Sequence, residues 1–160
     1  MKLTRTCACA LAVATACALL STSTAQAIIQ VQRGISGIRL GMSQTRVKAG
    51  LGIHHKTKTG RNAFGPFTQF LYRGGITVTF QGNANVTAIA ISGGTDRTAT
   101  DVGVGSTEKA VKKGVRGVKC QTLAAVRDCH VGSFRAGKRV TDFTLDNGRV
   151  SRVTIAFVID

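Results

Sequence analysis

The alternation of apolar and polar positions along the chain predicts a set of β-strands. Within 76–80, apolar residues alternate with Thr77 and Thr79, the period of a strand with one buried face. The last two predicted strands are separated by a turn containing Asn-Gly, the strongest short hairpin signal. Similar runs of strand-forming residues occupy 67–72, 86–92, 140–145 and 150–157.

The same alternation divides the predicted sheet into two faces. One face is apolar and is expected to be covered by helices, whereas the other is polar and small and is expected to contact water. The predicted inner face comprises Ile76, Val78, Phe80, Ile89, Ile91, Phe143, Leu145, Val153, Ile155 and Phe157. Candidates for a partner-binding patch on the exposed face are Tyr72, Thr77, Thr79, Arg152 and Thr154.

Two short segments show the spacing of amphipathic helices. Val47 and Leu51 lie four residues apart, as do Val111 and Val115, so each pair shares one helix face. Ser43 is a candidate cap for the first helix, and Ser106 or Thr107 for the second. Gly52 and Gly117 are expected to end the two helices. Helices this short need a sheet to pack on.

Two stretches of the chain match at an offset of 64 positions. Residues 38–52 align with a second copy near 104–117, and 86–91 aligns with 150–155. This offset predicts an internal duplication, with repeats at about 36–93 and 101–157. The expected fold class is therefore α+β, a tandem in which each copy is a short helical segment followed by an antiparallel hairpin or meander. The helices would pack on one face of the sheet.

The segment 38–52 also resembles a known family. Its pattern Ile-x-Leu-Gly-Met-Ser-x-x-x-Val-x-x-x-Leu-Gly is similar to the repeat unit of the superfamily that contains β-lactamase-inhibitory-protein-like domains and BamE (SmpA)-like lipoproteins. The resemblance implies a helical pair before a short antiparallel sheet, often duplicated, and no catalytic residue in the motif. Inhibitor members bind an enzyme through an aromatic and charged sheet surface, whereas this chain has one Tyr and no Trp.

Residues 1–27 have the composition of a signal peptide. Lys2 and Arg5 precede an apolar run too short to span a bilayer, and Ala25-Gln26-Ala27 fits a cleavage site. The mature part would be one domain, 28–160, secreted to the periplasm or the exterior. Acylation at Cys17, giving a lipoprotein, is the alternative, although Cys17 lacks the usual preceding Leu.

Two cysteines lie in the predicted mature domain. Cys120 and Cys129 form an even pair in a chain expected to be exported, and an oxidising compartment favours a disulfide between them. A metal site with His130 is the alternative. Two thiols and one adjacent imidazole do not complete a tetrahedral set, so no metal is predicted.

The predicted mature domain is strongly basic. Residues 28–160 contain 20 Lys and Arg against 7 Asp and Glu, a net charge of +13 that favours anionic partners. We expect an anionic envelope polymer, lipid headgroups in a peripheral membrane contact, or another protein. The scarcity of aromatic residues argues against nucleic acid. The candidate anion-binding residues are Lys48, Lys56, Lys58, Arg61, Lys109, Lys112, Lys113, Arg116, Arg135, Lys138 and Arg139.

These patterns predict a non-enzymatic binding protein of the cell envelope, without a cofactor. The sequence lacks the His-Glu-x-x-His and Gly-x-Ser-x-Gly motifs of common hydrolases. One alternative is a protein inhibitor of a secreted or periplasmic enzyme, following the family resemblance. Another is a small enzyme whose site is assembled from distant residues such as Asp128 and His130.

Overall fold

A computed structural model describes residues 28–82 and 84–159. The predicted signal peptide, 1–27, lies outside the described residues. Among those described, 49% belong to strands or bridges and 14% to helical segments. The protein is therefore mainly antiparallel β-sheet.

Ten strands and two α-helices make up the described chain, together with a 3₁₀ turn at Arg73–Gly75. The helices are α1 (Gln44–Leu51) and α2 (Glu108–Gly114). The strands are β1 (Gly34–Ile35), β2 (Ile38–Arg39), β3 (Lys56–Asn62), β4 (Gly65–Leu71), β5 (Ile76–Gln81), β6 (Ala88–Ile91), β7 (Lys119–Leu123), β8 (Val126–Gly132), β9 (Arg139–Asp146) and β10 (Arg149–Phe157).

Eight of the strands form one continuous antiparallel sheet. The order of strands across the sheet is β3-β4-β5-β6-β10-β9-β8-β7. Strands β3 to β6 follow one another from one edge to the centre, and β7 to β10 follow one another from the other edge to the centre. The two sets join where Ile91 pairs with Val153 and Ala88 pairs with Ala156. Strands β1 and β2 form a separate small hairpin.

Both helices begin and pack as their sequences predict. The Ser43 hydroxyl accepts a hydrogen bond from the Arg46 amide, and the Thr107 hydroxyl accepts one from the Ala110 amide, so each satisfies a free amide at a helix start. Helix α1 ends at Gly52 as predicted, but α2 ends at Val115, two residues before Gly117.

Two glycine turns attach the helix starts to the centre of the sheet. Gly41 has φ of 85°, and its amide donates to the Val86 carbonyl at 2.8 Å. Gly105, with φ of 90°, donates in the same way to the Val150 carbonyl at 2.7 Å. A residue with a side chain is strained at these φ values, which explains why glycine precedes each helix.

The core lies between the inner face of the sheet and the two helices. Val47 of α1 and Val111 of α2 are fully buried in the same cluster as Phe80 and Phe143. Ile29, Ile35 and Ile38 of the N-terminal segment complete it. Of the ten residues predicted to face inward, eight are buried; Ile76 and Phe157 are partly exposed at the margins.

The predicted fold class is wrong. The structure is not a tandem of helix-plus-hairpin α+β units, because most of the described chain is strand and all eight long strands share one sheet. The sequence patterns missed β3, β7 and β8. Strand β3 reads KTKTGRN with every residue exposed, so it has no apolar alternation to detect.

Candidate functional site

An open groove lies beside the second half of the sheet, with a volume of about 1000 Å³. Four separate parts of the chain form its walls: the N-terminal segment, the turn at 98–100, the end of α2 and the residues around the start of β9. Four cationic side chains line it, and we call it the basic groove. The groove is lined by Ile28, Ile29, Gln30, Val31, Gln32, Arg33, Thr98, Ala99, Thr100, Gly114, Val115, Arg116, Gly137, Lys138 and Arg139.

Hydrogen bonds between distant segments fix the walls of the basic groove. The Gln32 amide donates to the Thr141 hydroxyl at 2.6 Å, and the Gln32 side chain donates to the Arg139 carbonyl at 3.0 Å. On the other wall, the Thr100 hydroxyl donates to the Gly114 carbonyl at 2.7 Å. Each of these hydrogen bonds joins a side chain of one segment to the backbone of another, and together they hold the walls in place.

Gly132 is required where β8 approaches these contacts. Its φ is 111°, and a Cβ at this position would lie 2.2 Å from the Arg139 carbonyl oxygen and 2.6 Å from the Gln32 side-chain nitrogen. Any side chain would therefore push the N-terminal segment away from β9. Glycine allows the two walls of the groove to meet.

The basic groove concentrates positive charge. Arg33, Arg116, Lys138 and Arg139 are exposed, and no carboxylate lies among the lining residues. Within the part of the chain that the structure describes, none of the four forms an ion pair. The Arg139 guanidinium instead lies 5.5 Å from the Phe157 ring centroid, a cation–π distance that orients it without neutralising it.

The structure brings together three of the eleven predicted anion-binding residues in this groove: Arg116, Lys138 and Arg139. Sequence reasoning missed Arg33, which lies in a turn before β1. Arg135 is exposed in the loop after β8 but does not line the groove. All eleven residues remain predicted anion-binding residues; three line the basic groove and eight lie outside it.

The other predicted cations lie elsewhere. Lys56, Lys58 and Arg61 belong to the edge strand β3, where every residue is exposed. Lys48 lies over the Phe70 ring at 5.1 Å. On α2, Lys112 pairs with Glu108 at 2.7 Å, whereas Lys109 and Lys113 are exposed.

One candidate for the exposed sheet face is misplaced. Tyr72 is 7% exposed and belongs to the core, because it follows Phe70 by two residues and shares its inward face. Thr77, Thr79 and Thr154 are partly exposed, and Arg152 is exposed. The outer face is therefore poor in aromatic residues, which are the usual anchors of a protein interface.

The predicted disulfide is confirmed. Cys120 on β7 and Cys129 on β8 are directly opposite and bonded. Glu108 lies close to both sulfur atoms, but sulfurs joined in a disulfide are not thiolate ligands. His130, the third ligand in the alternative metal site, projects to the other face of β8, because neighbouring residues on a strand alternate.

A largely buried polar cluster lies on β8 and β9, made of Asp128, His130 and Asp142. The Nδ1 atom of His130 lies 3.3 Å from the Asp128 carboxylate, and His130 pairs across the sheet with Asp142. Burial, with Asp128 nearby, raises the pKa of Asp142 to about 6. On its other side, Asp142 pairs with Thr154 of β10.

Glu108 connects α2 to the hairpin. Its carboxylate accepts two hydrogen bonds from the Arg127 guanidinium and forms an ion pair with Lys112. The hydrogen bond from Arg127, followed by that from Lys112, lowers the pKa of Glu108 to about 2. Both partners therefore favour the charged carboxylate.

No family model and no curated protein matches the chain. Two solved structures are similar to it. A DUF4309 family protein (YjgB) from Bacillus subtilis subsp. subtilis str. 168 aligns over 72% of this chain and 78% of its own, at 16% identity and a TM-score of 0.46. An extracellular protein containing a SCP domain, from Bacillus anthracis str. Ames, aligns over 74% of this chain and 44% of its own, at 10% identity and a TM-score of 0.50.

The chain thus spans less than half of the Bacillus anthracis protein, and that likeness concerns the fold alone. Neither structure is a β-lactamase-inhibitory-protein-like or BamE-like protein, so the resemblance of 38–52 to that superfamily stays a prediction. Across residues 28–82 and 84–159, the helices are too short or too polar to cross a membrane.

Proposed function

We propose that this protein is a secreted, non-enzymatic binding protein that holds an extended anionic polymer of the cell envelope in its basic groove. The observation behind this proposal is the convergence of four cations on one groove without a lining carboxylate. An anionic chain placed there would contact positive charge along both walls. Long-range attraction from the net positive charge would bring it to the surface.

The groove also offers a neutral hydrogen-bond donor. The Gln32 side-chain amide lines it beside the cations and uses one of its two N–H groups on the Arg139 carbonyl. Phosphate or carboxylate oxygens could therefore accept a hydrogen bond from its other N–H as well as from the guanidinium groups. None of the lining residues is aromatic, and stacking on bases is therefore excluded from the groove itself. These features support an anionic polymer without bases rather than nucleic acid.

The proposal of secretion rests on two further features. The Cys120–Cys129 disulfide is typical of proteins from oxidising compartments, and residues 1–27 have the pattern of a signal peptide. A protein of similar fold is also extracellular. The direct test is to express the full chain in a bacterium and to fractionate the cells, then sequence the N-terminus of the exported form.

Binding is tested by calorimetry with inorganic polyphosphate and with polyglutamate as probes. Exposed charge contacts contribute about 0.5–1 kcal/mol each. Replacing Arg33, Arg116, Lys138 and Arg139 with Gln should therefore weaken binding by about 2–4 kcal/mol, or roughly 30- to 1000-fold in Kd. Raising the salt concentration should reduce the difference between this variant and the unmodified protein.

A second variant provides a control of equal charge. It replaces Lys56, Lys58, Arg61 and Lys109, all exposed and outside the groove, with Gln. Under the proposal this variant keeps most of its affinity. An equal loss in both variants would mean that net charge alone holds the polymer, and the groove would then have no specific role.

A second candidate function, inhibition of a secreted enzyme, is favoured by the tip of the β7–β8 hairpin. Leu123 is 69% exposed and Val126 is 50% exposed, and the disulfide joins the hairpin three residues below them. Ala124 and Ala125 both have positive φ. Loss of inhibition on Leu123→Asp in a panel of secreted hydrolases would support this function, and absence of inhibition across the panel would remove it.

A further inference from the structure

The predicted cleavage site coincides with a wall of the basic groove. The pattern Ala25-Gln26-Ala27 predicts cleavage directly before Ile28, and Ile28 is one of the residues that line the groove. Ile28 is 51% exposed, so water and ions can reach it. A mature chain cut at this position would therefore begin within the proposed polymer-binding site.

Contacts of the next residues hold Ile28 in place. It pairs with Arg97 in a parallel bridge, and the amide of Ile29 donates to the Arg97 carbonyl at 2.9 Å. The Ile29 side chain is 2% exposed and belongs to the core. Gln30 and Gly34 exchange backbone hydrogen bonds of 2.8 and 2.9 Å. Chain ends are poorly ordered unless they are tied down, and these contacts tie this one down from its second residue onward.

The alternation of backbone amides directs the nitrogen of Ile28 towards the groove. Neighbouring N–H groups of an extended segment point to opposite sides, and those two residues apart point to the same side. The amide of Ile29 faces Arg97, so the nitrogen of Ile28 faces the other side, together with that of Gln30. On that side lies the turn 31–33, whose three residues all line the groove.

Cleavage would change the charge of this nitrogen. Water adds across the Ala27–Ile28 peptide bond, the new carboxylate leaves with residues 1–27, and the nitrogen stays on Ile28 as an α-ammonium group. An α-amino group ordinarily has a pKa of about 7.7–8.0, so most of it is charged at pH 7. A neutral backbone amide is thus replaced by a cation whose position the backbone fixes.

The groove offers this cation no carboxylate to neutralise it. The charged side chains that line the groove with Ile28 are Arg33, Arg116, Lys138 and Arg139, and all four are positive. An anionic polymer in the groove is therefore the group that can balance the α-ammonium charge.

The segment that pairs with Ile28 contains two acidic residues, but both have other partners. Asp96 is 9% exposed, and its carboxylate accepts a hydrogen bond from the Ser36 hydroxyl at 2.8 Å. The Asp101 side chain is 94% exposed and contacts the Arg97 guanidinium at 3.8 Å. Neither lines the groove, so the positive charge of the groove is not cancelled from this side.

We propose that the Ile28 α-ammonium group, freed by removal of the signal peptide, is the fifth cation of the basic groove and a direct contact of the bound polymer. The inference rests on the proposed function of the groove and on the predicted cleavage site. In the precursor, the same nitrogen is an uncharged amide, so the polymer site has four cations. Export therefore completes the site, and the mature protein binds more tightly than its precursor.

The test compares three forms of the exported protein. The first is purified after expression of the full chain, and N-terminal sequencing should find Ile28; any other first residue would overturn the proposal. The second is the same protein acetylated at its α-amine near pH 6.5, where lysines stay protonated and unreactive. The third comes from a full chain with Gly-Ser-Gly-Ser inserted after Ala27, which keeps the net charge but moves the ammonium group by up to about 13–14 Å.

Calorimetry with long-chain inorganic polyphosphate at pH 7 and pH 9 separates these forms. One exposed charge contact changes affinity about two- to fivefold. At pH 7 the protein that begins at Ile28 should bind more tightly than the other two forms by this factor. At pH 9, where an α-amine is mostly neutral, the three Kd values should converge. Equal Kd values at pH 7, or a difference that persists at pH 9, would overturn the proposal.

A second readout follows the α-amine itself. The NMR shift of the Ile29 amide should titrate with the neighbouring α-amine, and polyphosphate should raise the midpoint of that titration by about 0.3–0.7 of a pH unit, the same two- to fivefold coupling seen from the proton. A midpoint unchanged by saturating polyphosphate would mean that the polymer does not contact Ile28.

The quadruple Gln variant of the groove separates this inference from the proposed function. If that variant loses affinity while acetylation has no effect, the groove binds the polymer without Ile28 and only this inference fails. If the quadruple variant binds as its charge-matched control does, or if polyphosphate binds to none of the forms, both proposals fail.

Discussion

The two halves of the sheet have the same order of elements but different charge. Residues 28–95 contain eight Lys and Arg and no Asp or Glu, whereas 96–160 contain twelve Lys and Arg and all seven acidic residues. In the first half no acidic side chain is present to pair with a cation. The second half can use ion pairs, and it also contains the disulfide.

The first half compensates with stacked rings. The His54 and Phe70 rings lie parallel at 4.1 Å, Phe80 meets Phe70 edge to face at 4.9 Å, and Lys48 covers Phe70. At the corresponding place in the second half, Cys129 lies opposite Phe143, as Phe70 lies opposite Val78. The parallel stacked ring pair thus lies in the first half, whereas the disulfide and the Glu108 ion pairs lie in the second.

The largest expected effect tests ring packing. Phe70→Ala should lower the free energy of unfolding by about 3–5 kcal/mol, because Phe70 is 3% exposed and contacts both other aromatic rings of the cluster. Urea unfolding at pH 7 measures the change. Phe64→Ala, at a residue 50% exposed, should change stability by less than about 0.5 kcal/mol; similar losses in both variants would refute the role of the cluster.

The next effect tests the covalent link. Replacing Cys120 and Cys129 with Ser should lower the free energy of unfolding by about 2–3 kcal/mol, since the closed loop is short. Hydrogen exchange should accelerate in β7 and β8 but little in β3 and β4. Equal acceleration in both hairpins would show that the disulfide stabilises the whole sheet and would remove this difference between the halves.

A smaller effect tests the buried carboxylate of the second half. The pKa of Asp142 is raised to about 6 from its ordinary 3.8, so the folded state binds this proton more tightly than the unfolded state. Stability should therefore fall as pH rises from about 4 to 6. Asp142→Asn should remove that slope and raise stability at pH 7 by about 1 kcal/mol, a value discounted for the partial exposure of Asp142.

The matched control for this titration is Asp101→Asn. The Asp101 side chain is 94% exposed, with a long contact of 3.8 Å to Arg97, and this substitution should leave the slope intact. Thermal unfolding between pH 4 and 8 gives the comparison. A slope that persists in Asp142→Asn would mean that another group of the cluster titrates.

The smallest expected effect concerns Glu108. Because its pKa is lowered to about 2, the stabilisation it provides is fully present above its ordinary value of 4.5 and is lost as pH falls through about 2. Glu108→Gln should lower the free energy of unfolding at pH 7 by less than about 1 kcal/mol. The loss should shrink in 1 M salt, and a salt-independent loss would indicate packing rather than charge.

The sequence predicted the centre of the fold better than its edges. Strands β5 and β10 lie in the middle of the sheet, where one buried face imposes alternation, and the Asn147-Gly148 hairpin was found from its turn. The edge strands β3 and β7 have no buried residues, so apolar and polar residues do not alternate along their sequences. The fold class was wrong because these two edge strands, and β8 beside β7, escaped detection.

The candidate site could be predicted only in part. Local clusters of charge in the sequence pointed to Arg116, Lys138 and Arg139. Arg33 joins them in the groove only because the N-terminal segment lies against β9. That contact links positions more than a hundred residues apart and leaves no local pattern. Asp128 and His130 lie on one face because both belong to β8, but the sequence patterns missed that strand and so did not predict their shared face.

The last strand along the chain, β10, lies at the centre of the sheet, between β6 and β9. During synthesis, the first four strands can emerge and pair, yet β6 keeps an open edge until residues 149–157 arrive. Pairing across such long stretches of chain is slow. If the chain is exported, its sheet would therefore remain incomplete until the final segment has crossed the membrane. The chain would stay unfolded during translocation and would complete its fold only afterwards.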